Sequence, residues 1–391
     1  MKKIYRTALF LLVFPLWAQA QDIASILQQI EANNKELQAL KESNEAAKME
    51  VQTRNNLEDP SIEYSPFFAK GVSGVASSEM VLRQGFDFPT LYYSRNRSGK
   101  LQQEALDMQQ LATRREILLQ AKNLCLDLIR LNKEQALLTE RKKNADELLA
   151  FFEKRLNEGD ATLIEVNKIK MERMSIQTEM SQNIAAHRTA LQSLLAMNGN
   201  LPLSFSENSY PEVASINSYD ALYDEVMLSD ASLKAADATA RTTTQEVGIS
   251  KQNWLPKLEV AYRRNTSLSE ASNGFLVGGS IPLFSNRKKV KIAKAQALSA
   301  QLQLENTRLQ LTAQIQSQFN EMQQLKEALS VYDVQLMENT LKMLKEAVLA
   351  GQLSIIEYYV EAEGVYRNMQ AYMEVENQYQ KVMATIYKNR L

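Results

Sequence analysis

The sequence predicts a mainly α protein with a small β part, in which long coiled-coil-like helices adjoin four strands. Three observations predict it. Ordered landmarks recur about 192 to 196 residues apart, the mark of a duplicated half. Long Ala-, Glu-, Lys- and Gln-rich stretches without Pro carry apolar residues at helical spacing and stop at Gly. Four runs of about ten residues alternate apolar and polar side chains.

The repeat shows in three places. Asp59-Pro60-Ser61-Ile62-Glu63-Tyr64 returns as Leu255-Pro256-Lys257-Leu258-Glu259-Val260. Phe88-Pro89 returns as Ile281-Pro282, each before a basic stretch. Gly159-Asp160-Ala161-Thr162-Leu163-Ile164-Glu165 returns as Gly351-Gln352-Leu353-Ser354-Ile355-Ile356-Glu357. The period is too long for a solenoid unit, so the expected domains are a first repeat over 21–200, a linker over 201–218 and a second repeat over 219–391.

Each half has the same expected layout. A helix of about 35 residues comes first, Asp22 to Asn56 and Tyr219 to Asn253, and two strands follow. A very long helix succeeds them, Tyr92 to Asn157 and Arg287 to Ala350, each close to 100 Å at about 1.5 Å per residue. A Gly free to adopt positive φ ends it, and a returning helix closes the half, Thr162 to Met197 and Ser354 to Tyr387. Leu124, Leu128, Leu131 and Leu138 form one apolar seam; Ile315, Phe319, Met322, Leu329 and Leu336 form the other. Helices this long must pack along their length, as a wall rather than a globular core.

In the strands, Ile62, Tyr64 and Phe68 oppose Ser61, Glu63 and Ser65, with Pro66 interrupting. Met80, Leu82, Phe86 and Phe88 oppose Glu79, Arg83, Gly85 and Asp87. Leu258, Val260 and Tyr262 oppose Lys257, Glu259 and Arg263, and Phe275, Val277, Gly279 and Ile281 alternate with Leu276, Gly278 and Ser280. The length and alternation suit either tilted membrane strands or a half-buried soluble sheet. If they cross a membrane, four are too few to close, because open edges cannot exist in hydrocarbon. Two, three or four copies would then supply about eight, twelve or sixteen strands.

The amino terminus indicates the compartment. Lys2, Lys3 and Arg6 precede an apolar core from Ala8 to Trp17, and Ala18-Gln19-Ala20 forms a small-residue cleavage site. Residues 1–20 are therefore expected to be a removable signal peptide, with Gln21 the first mature residue. Its removal takes the formal charge from −1 to about −4, a balance unlike that of a nucleic-acid binder. The single Cys125 excludes an internal disulfide and the single His187 works against a His-based metal or triad site. No phosphate loop, cofactor motif or catalytic cluster appears, so an enzyme is not expected and no cofactor is implied.

Taken together, the duplicated helix-strand-strand-helix order, Trp254-Leu255-Pro256, Pro282-Leu283-Phe284 and the turns at Gly159 and Gly351 resemble the TolC-type outer-membrane factors. These are exit ducts of tripartite efflux pumps and type I secretion systems. The resemblance covers nearly the whole mature chain. It implies a homotrimer in the Gram-negative outer membrane, with a twelve-stranded β-barrel and an α-barrel tunnel reaching into the periplasm. It also implies docking to a periplasmic adaptor and, through it, to an inner-membrane pump. Phe88-Pro89-Thr90-Leu91 is a degenerate copy of the Pro-Leu-Phe signature, and the chain ends at Leu391, so no C-terminal equatorial addition is expected.

By position in the family, Gly159, Asp160, Ala161, Thr162, Gly351, Gln352, Leu353 and Ser354 would meet the adaptor; they also read simply as helix caps. Glu357 would line the closed entrance as one carboxylate ring, Val360 standing where relatives often place a second acid; it also reads as a solvated helix Glu. Arg95, Arg97 and Lys100 follow the second strand, and Arg287, Lys288, Lys289, Lys291 and Lys294 the fourth. They would meet acidic headgroups of the outer membrane's periplasmic face or remain a solvated charge run. Met171, Met174, Met322 and Met343 are expected in core packing rather than metal ligation, His187 as structural, and Cys125 as a buried small hydrophobe. The rival to a channel is a soluble periplasmic coiled-coil scaffold or adaptor, against which stand the two hairpin sets around paired strands.

Overall fold

The computed structural model describes residues 22–216 and 218–391; the signal peptide expected over 1–20 lies outside them. The element order is two helices, two strands and a long helix with a returning helix, and it then recurs. The first set is α1 (Ile23–Asn33), α2 (Lys35–Thr53), β1 (Ser61–Phe67), β2 (Ser77–Phe86), α3 (Pro89–Glu158) and α4 (Leu163–Met197). The second is α5 (Tyr219–Ser229), α6 (Ala231–Gln252), β3 (Lys257–Ser267), β4 (Ala271–Ser280), α7 (Lys289–Ser330), α8 (Val334–Leu349) and α9 (Ile355–Ile386). Among the described residues no helix is long and apolar enough to cross a membrane.

Three of the expected helices are broken, and each break has a polar residue at its root. Asn34 turns extended between α1 and α2, and its side chain donates to the Met197 carbonyl at 2.9 Å. Asp230 does the same between α5 and α6, its carboxylate accepting from the Leu233 amide at 2.9 Å. Short polar side chains compete for backbone groups, so they start new helices as readily as they sit inside one. The expected helix from Arg287 to Ala350 is interrupted over 331–333, where Asp333 caps α8 through the Leu336 amide. That break resets the helical phase. Ile315 and Met322 are buried as the seam requires, but Leu336 is exposed.

By contrast α3 is continuous over 70 residues, about 105 Å at 1.5 Å per residue. Pro89 opens it, where the missing N–H costs nothing.

The described residues group into two compact units. One, over 22–34, 120–213 and 324–384, holds the main apolar cluster: Leu148, Phe152, Val166, Ile169, Val348, Ile355, Tyr358, Tyr359 and Ala362, with others around them. The other, over 35–119, 214–323 and 385–391, holds the sheet and the helices that flank it. There small residues allow close helix packing: Ala238, Ala240, Ala293 and Ala300 are buried, and a Cβ on Gly99 would approach Val51 Cγ1 at 3.2 Å. Arg390 ties the end of this unit down with a forked pair to Glu225 at 2.9 and 3.0 Å.

The sheet runs β1-β2-β3-β4, antiparallel throughout, so β1 and β4 are its open edges. Pro66 is tolerated within β1 because an edge strand pairs on one side only.

Candidate functional site

Two regions present chemistry that the core does not absorb: the faces of the sheet, and the turns that end α3 and α8.

Register fixes the faces of the sheet. Ile62, Leu82, Tyr262 and Phe275 stand opposite one another across all four strands, with the Tyr262 and Phe275 rings edge-on at 5.7 Å. Val260 and Val277 pair beside them, as do Phe86 and Leu258. Ile62 is 75% exposed, Phe275 89% and Val277 84%. A soluble half-buried sheet turns its apolar side to a core. This one does not. The opposite face carries ion pairs, Arg83 with Glu259 at 3.3 Å and Arg263 with Glu79 at 2.7 Å. An apolar face opposite a charged one suits a wall between hydrocarbon and water.

At the foot of the sheet Asp87 holds Arg95 at 2.6 Å, and Lys257 pairs with Glu58 and lies 3.8 Å from Asp87. Arg95 is thus already neutralised. Arg97, Lys100, Arg287, Lys288, Lys289, Lys291 and Lys294 are exposed, and among the described residues none has a carboxylate within 4 Å. Lys288 adopts φ 68°, turning the chain before α7 begins.

The two turns share one construction. Gly159 has φ 85° and Gly351 φ 74°, and a Cβ at either would meet nothing within 4 Å. Backbone conformation, not space, requires glycine there. The following amides return to the helix, Asp160 N to the Arg155 carbonyl at 2.8 Å and Gln352 N to the Ala347 carbonyl at 2.9 Å. Thr162 then caps α4 by accepting from Glu165 N, while Glu165 Oε2 accepts from Thr162 N at 2.7 Å. Ser354 and Glu357 repeat the pattern at α9, with 3.0 and 3.2 Å. The Ser354 hydroxyl and amide hold the Glu357 carboxyl below its usual range, so this exposed side chain is ionised at neutral pH.

Gly159, Asp160, Thr162, Gly351, Gln352 and Ser354 are exposed, whereas Ala161 and Leu353 pack against the apolar cluster beneath. Next to them Leu163, Ile164, Ile356 and Val360 are exposed apolar side chains that position alone did not bring out. For one pair the signal was available: Ile164 and Ile356 occupy equal places in the two repeats, whereas Ile355, the counterpart of exposed Leu163, is buried. Nothing in the sequence, by contrast, announces Arg141. It pairs with Glu172 and, at 2.9 Å, with Glu179, and its guanidinium lies 4.9 Å from the Tyr366 ring centroid, joining segments far apart in the chain.

The methionines divide. Met322 is core, but Met171, Met174 and Met343 are exposed, contrary to expectation, because they lie on helix faces that no other helix among the described residues covers. Cys125 is fully buried and its thiol is pushed up to about 12. His187 is half-buried on α4. Among the described residues no group of three or more His, Cys, Asp and Glu could hold a metal ion.

Residues 222–389 match the family described as Outer membrane efflux protein. No curated protein matches the chain by sequence. Solved structures match it closely in fold at low identity. A membrane protein from Pseudomonas aeruginosa is 16% identical with a TM-score of 0.78, over 94% of this chain and 93% of that one. The outer membrane protein VceC from Vibrio cholerae is 16% identical with a TM-score of 0.74, over 94% and 95%. The CmeC outer membrane channel from Campylobacter jejuni is 14% identical with a TM-score of 0.72, over 94% and 85%.

Proposed function

We propose that this chain, whose second repeat carries the outer membrane efflux protein domain over residues 222–389, is the passive outer-membrane exit duct of a tripartite efflux or type I secretion system. The observation that carries the reading is the sheet: an apolar face left in the open and two unpaired edges. The apolar face is costly in water and at home in hydrocarbon, and open edges are tolerable in hydrocarbon only if further copies complete the wall. Three copies close twelve strands into one barrel, a size at which side chains no longer fill the lumen. The charged face, with Arg83-Glu259 and Arg263-Glu79, then lines the water-filled path.

Exposed apolar residues along the helices support the same assembly. Leu298, Leu302 and Leu309 on α7, Leu336 and Met343 on α8, and Met171 and Met174 on α4 await a neighbour at coiled-coil spacing. In this reading the exposed turn residues dock a periplasmic adaptor linked to an inner-membrane pump, which supplies the energy. Glu357 forms a carboxylate ring at the entrance, favouring cations. The unpaired cations from Arg287 to Lys294, with Arg97 and Lys100, meet acidic headgroups at the periplasmic membrane face. The two repeats are halves of one duplicated unit.

The soluble-scaffold alternative has no counterpart in this surface, because it leaves Phe275 and Val277 in water without a partner. The test is direct. Carbonate-washed membranes should retain the protein, and purified material should open discrete conductance steps in planar bilayers. A protein found in the carbonate supernatant that opens no steps contradicts the reading.

A further inference from the structure

One cation interrupts the apolar face of the sheet. Arg264 stands at its loop end, opposite Met80 on β2 and Asn273 on β4, with Tyr64 in the same row on β1. It is exposed, and among the described residues no carboxylate lies within 4 Å of it. The other two strand arginines differ: Arg263 is held by Glu79 and Arg83 by Glu259, both on the charged face. Toward the helices the rows beside Arg264 are apolar, Gln84 excepted; toward the loops the next row is Pro66, Ser78, Thr266 and Ala271. Arg264 therefore marks the edge of the apolar band.

A cation on a lipid-facing strand costs about 2–4 kcal/mol at the bilayer midplane and about 0–1 kcal/mol near its surface. Its place in the rows agrees with the second position. We propose that Arg264, with the Asn273 amide beside it, binds the phosphate of a phosphorylated glycolipid in the outer leaflet around the barrel. A planar guanidinium forks two phosphate oxygens, and a primary amide can donate to a third. Tyr64 shares the row two strands away and Tyr262 stands two residues along β3 on the same face, at the depth where amphipathic aromatics settle. This rests on the reading that the sheet spans the outer membrane with its strand loops outside. A three-copy ring would carry three equivalent sites.

The test uses the full-length protein in mild detergent, with bis-phosphorylated lipid A as the probe and native mass spectrometry as the readout. The wild type should retain up to one lipid A per chain. Dephosphorylated lipid A should not be retained, and inorganic phosphate at equal concentration should not displace the bound lipid. Arg264→Gln should reduce retention tenfold or more, Arg264→Lys should keep part of it, and Arg263→Gln should keep all of it. Equal retention by Arg264→Gln, or equal retention of the dephosphorylated lipid by wild type, overturns the proposal; the second arm needs no variant to fold. Displacement by inorganic phosphate overturns it in favour of a free-anion site. The parent reading is checked separately, with a fluorophore at Val277→Cys in a Cys125→Ser background and brominated lipid as quencher. Absence of quenching sinks the membrane reading itself, whereas quenching with unchanged Arg264→Gln retention sinks the glycolipid site alone.

Discussion

Ser354 and Glu357 cap one another: the Ser354 amide donates to Glu357 Oε2 at 3.0 Å and the Glu357 amide to Ser354 Oγ at 3.2 Å. The carboxylate proposed to line the entrance therefore has a second task, holding the first turn of α9. Because the folded carboxyl titrates below its ordinary value of about 4.3, the cap is fully present above that value and is lost as pH falls through the lowered one. Hydrogen-exchange protection of the Ser354 amide should be constant from neutral pH down to the ordinary carboxylate range and fall below it. In planar bilayers Glu357→Gln should lower cation preference, while Glu165→Gln, which neutralises the matching carboxylate at α4 and keeps a side chain able to cap, should leave it nearer wild type. Equal selectivity in all three proteins removes the ring.

Glycine at the turns is required by backbone angle alone, and that gives a signed prediction. Gly159→Ala and Gly351→Ala should each destabilise by about 1–2 kcal/mol, since an L side chain at positive φ is strained even in open space. Gly248→Ala, inside α6 with open space around it, should stabilise by about 0.5–1 kcal/mol. Urea midpoints followed by helical circular dichroism would measure all three, and a stabilising Gly159→Ala would contradict the turn geometry.

Phe152 is 2% exposed at the centre of the cluster beneath both turns and meets Phe151 edge-on at 5.6 Å. Phe152→Ala should cost about 3–5 kcal/mol. Met171→Ala, on an exposed face of the chain, should cost the isolated chain less than about 0.5 kcal/mol but weaken assembly if that face meets a neighbour. Comparing unfolding with the temperature at which the oligomer dissociates in a gel separates the two effects.

Much of this architecture was legible because its signals are local and periodic. The positive-φ glycines, the alternation in β2 to β4 and the seam from Leu124 to Leu138 lie within single elements, where pattern and structure coincide. The helix breaks at Asn34, Asp230 and 331–333 were not read, because a mid-helix Asn or Asp is ambiguous until its partner is known. Asn34 makes the point: its side chain reaches Met197, far along the sequence. The fate of the basic residues was equally hidden. Arg95 looks like its neighbours Arg97 and Lys100, yet only the fold brings Asp87 to it. The exposed methionines follow the same logic in reverse, since a single chain's periodicity does not say which copy covers a stripe.

The measurement that bears most directly on the central claim is the mass of the detergent-solubilised particle by light scattering, corrected for bound detergent. Three chains per particle is the predicted result, because in the proposed reading three four-stranded sheets close one barrel with the row through Ile62, Leu82, Tyr262 and Phe275 facing lipid. A stable single chain, with both sheet edges unpaired in detergent, would contradict it.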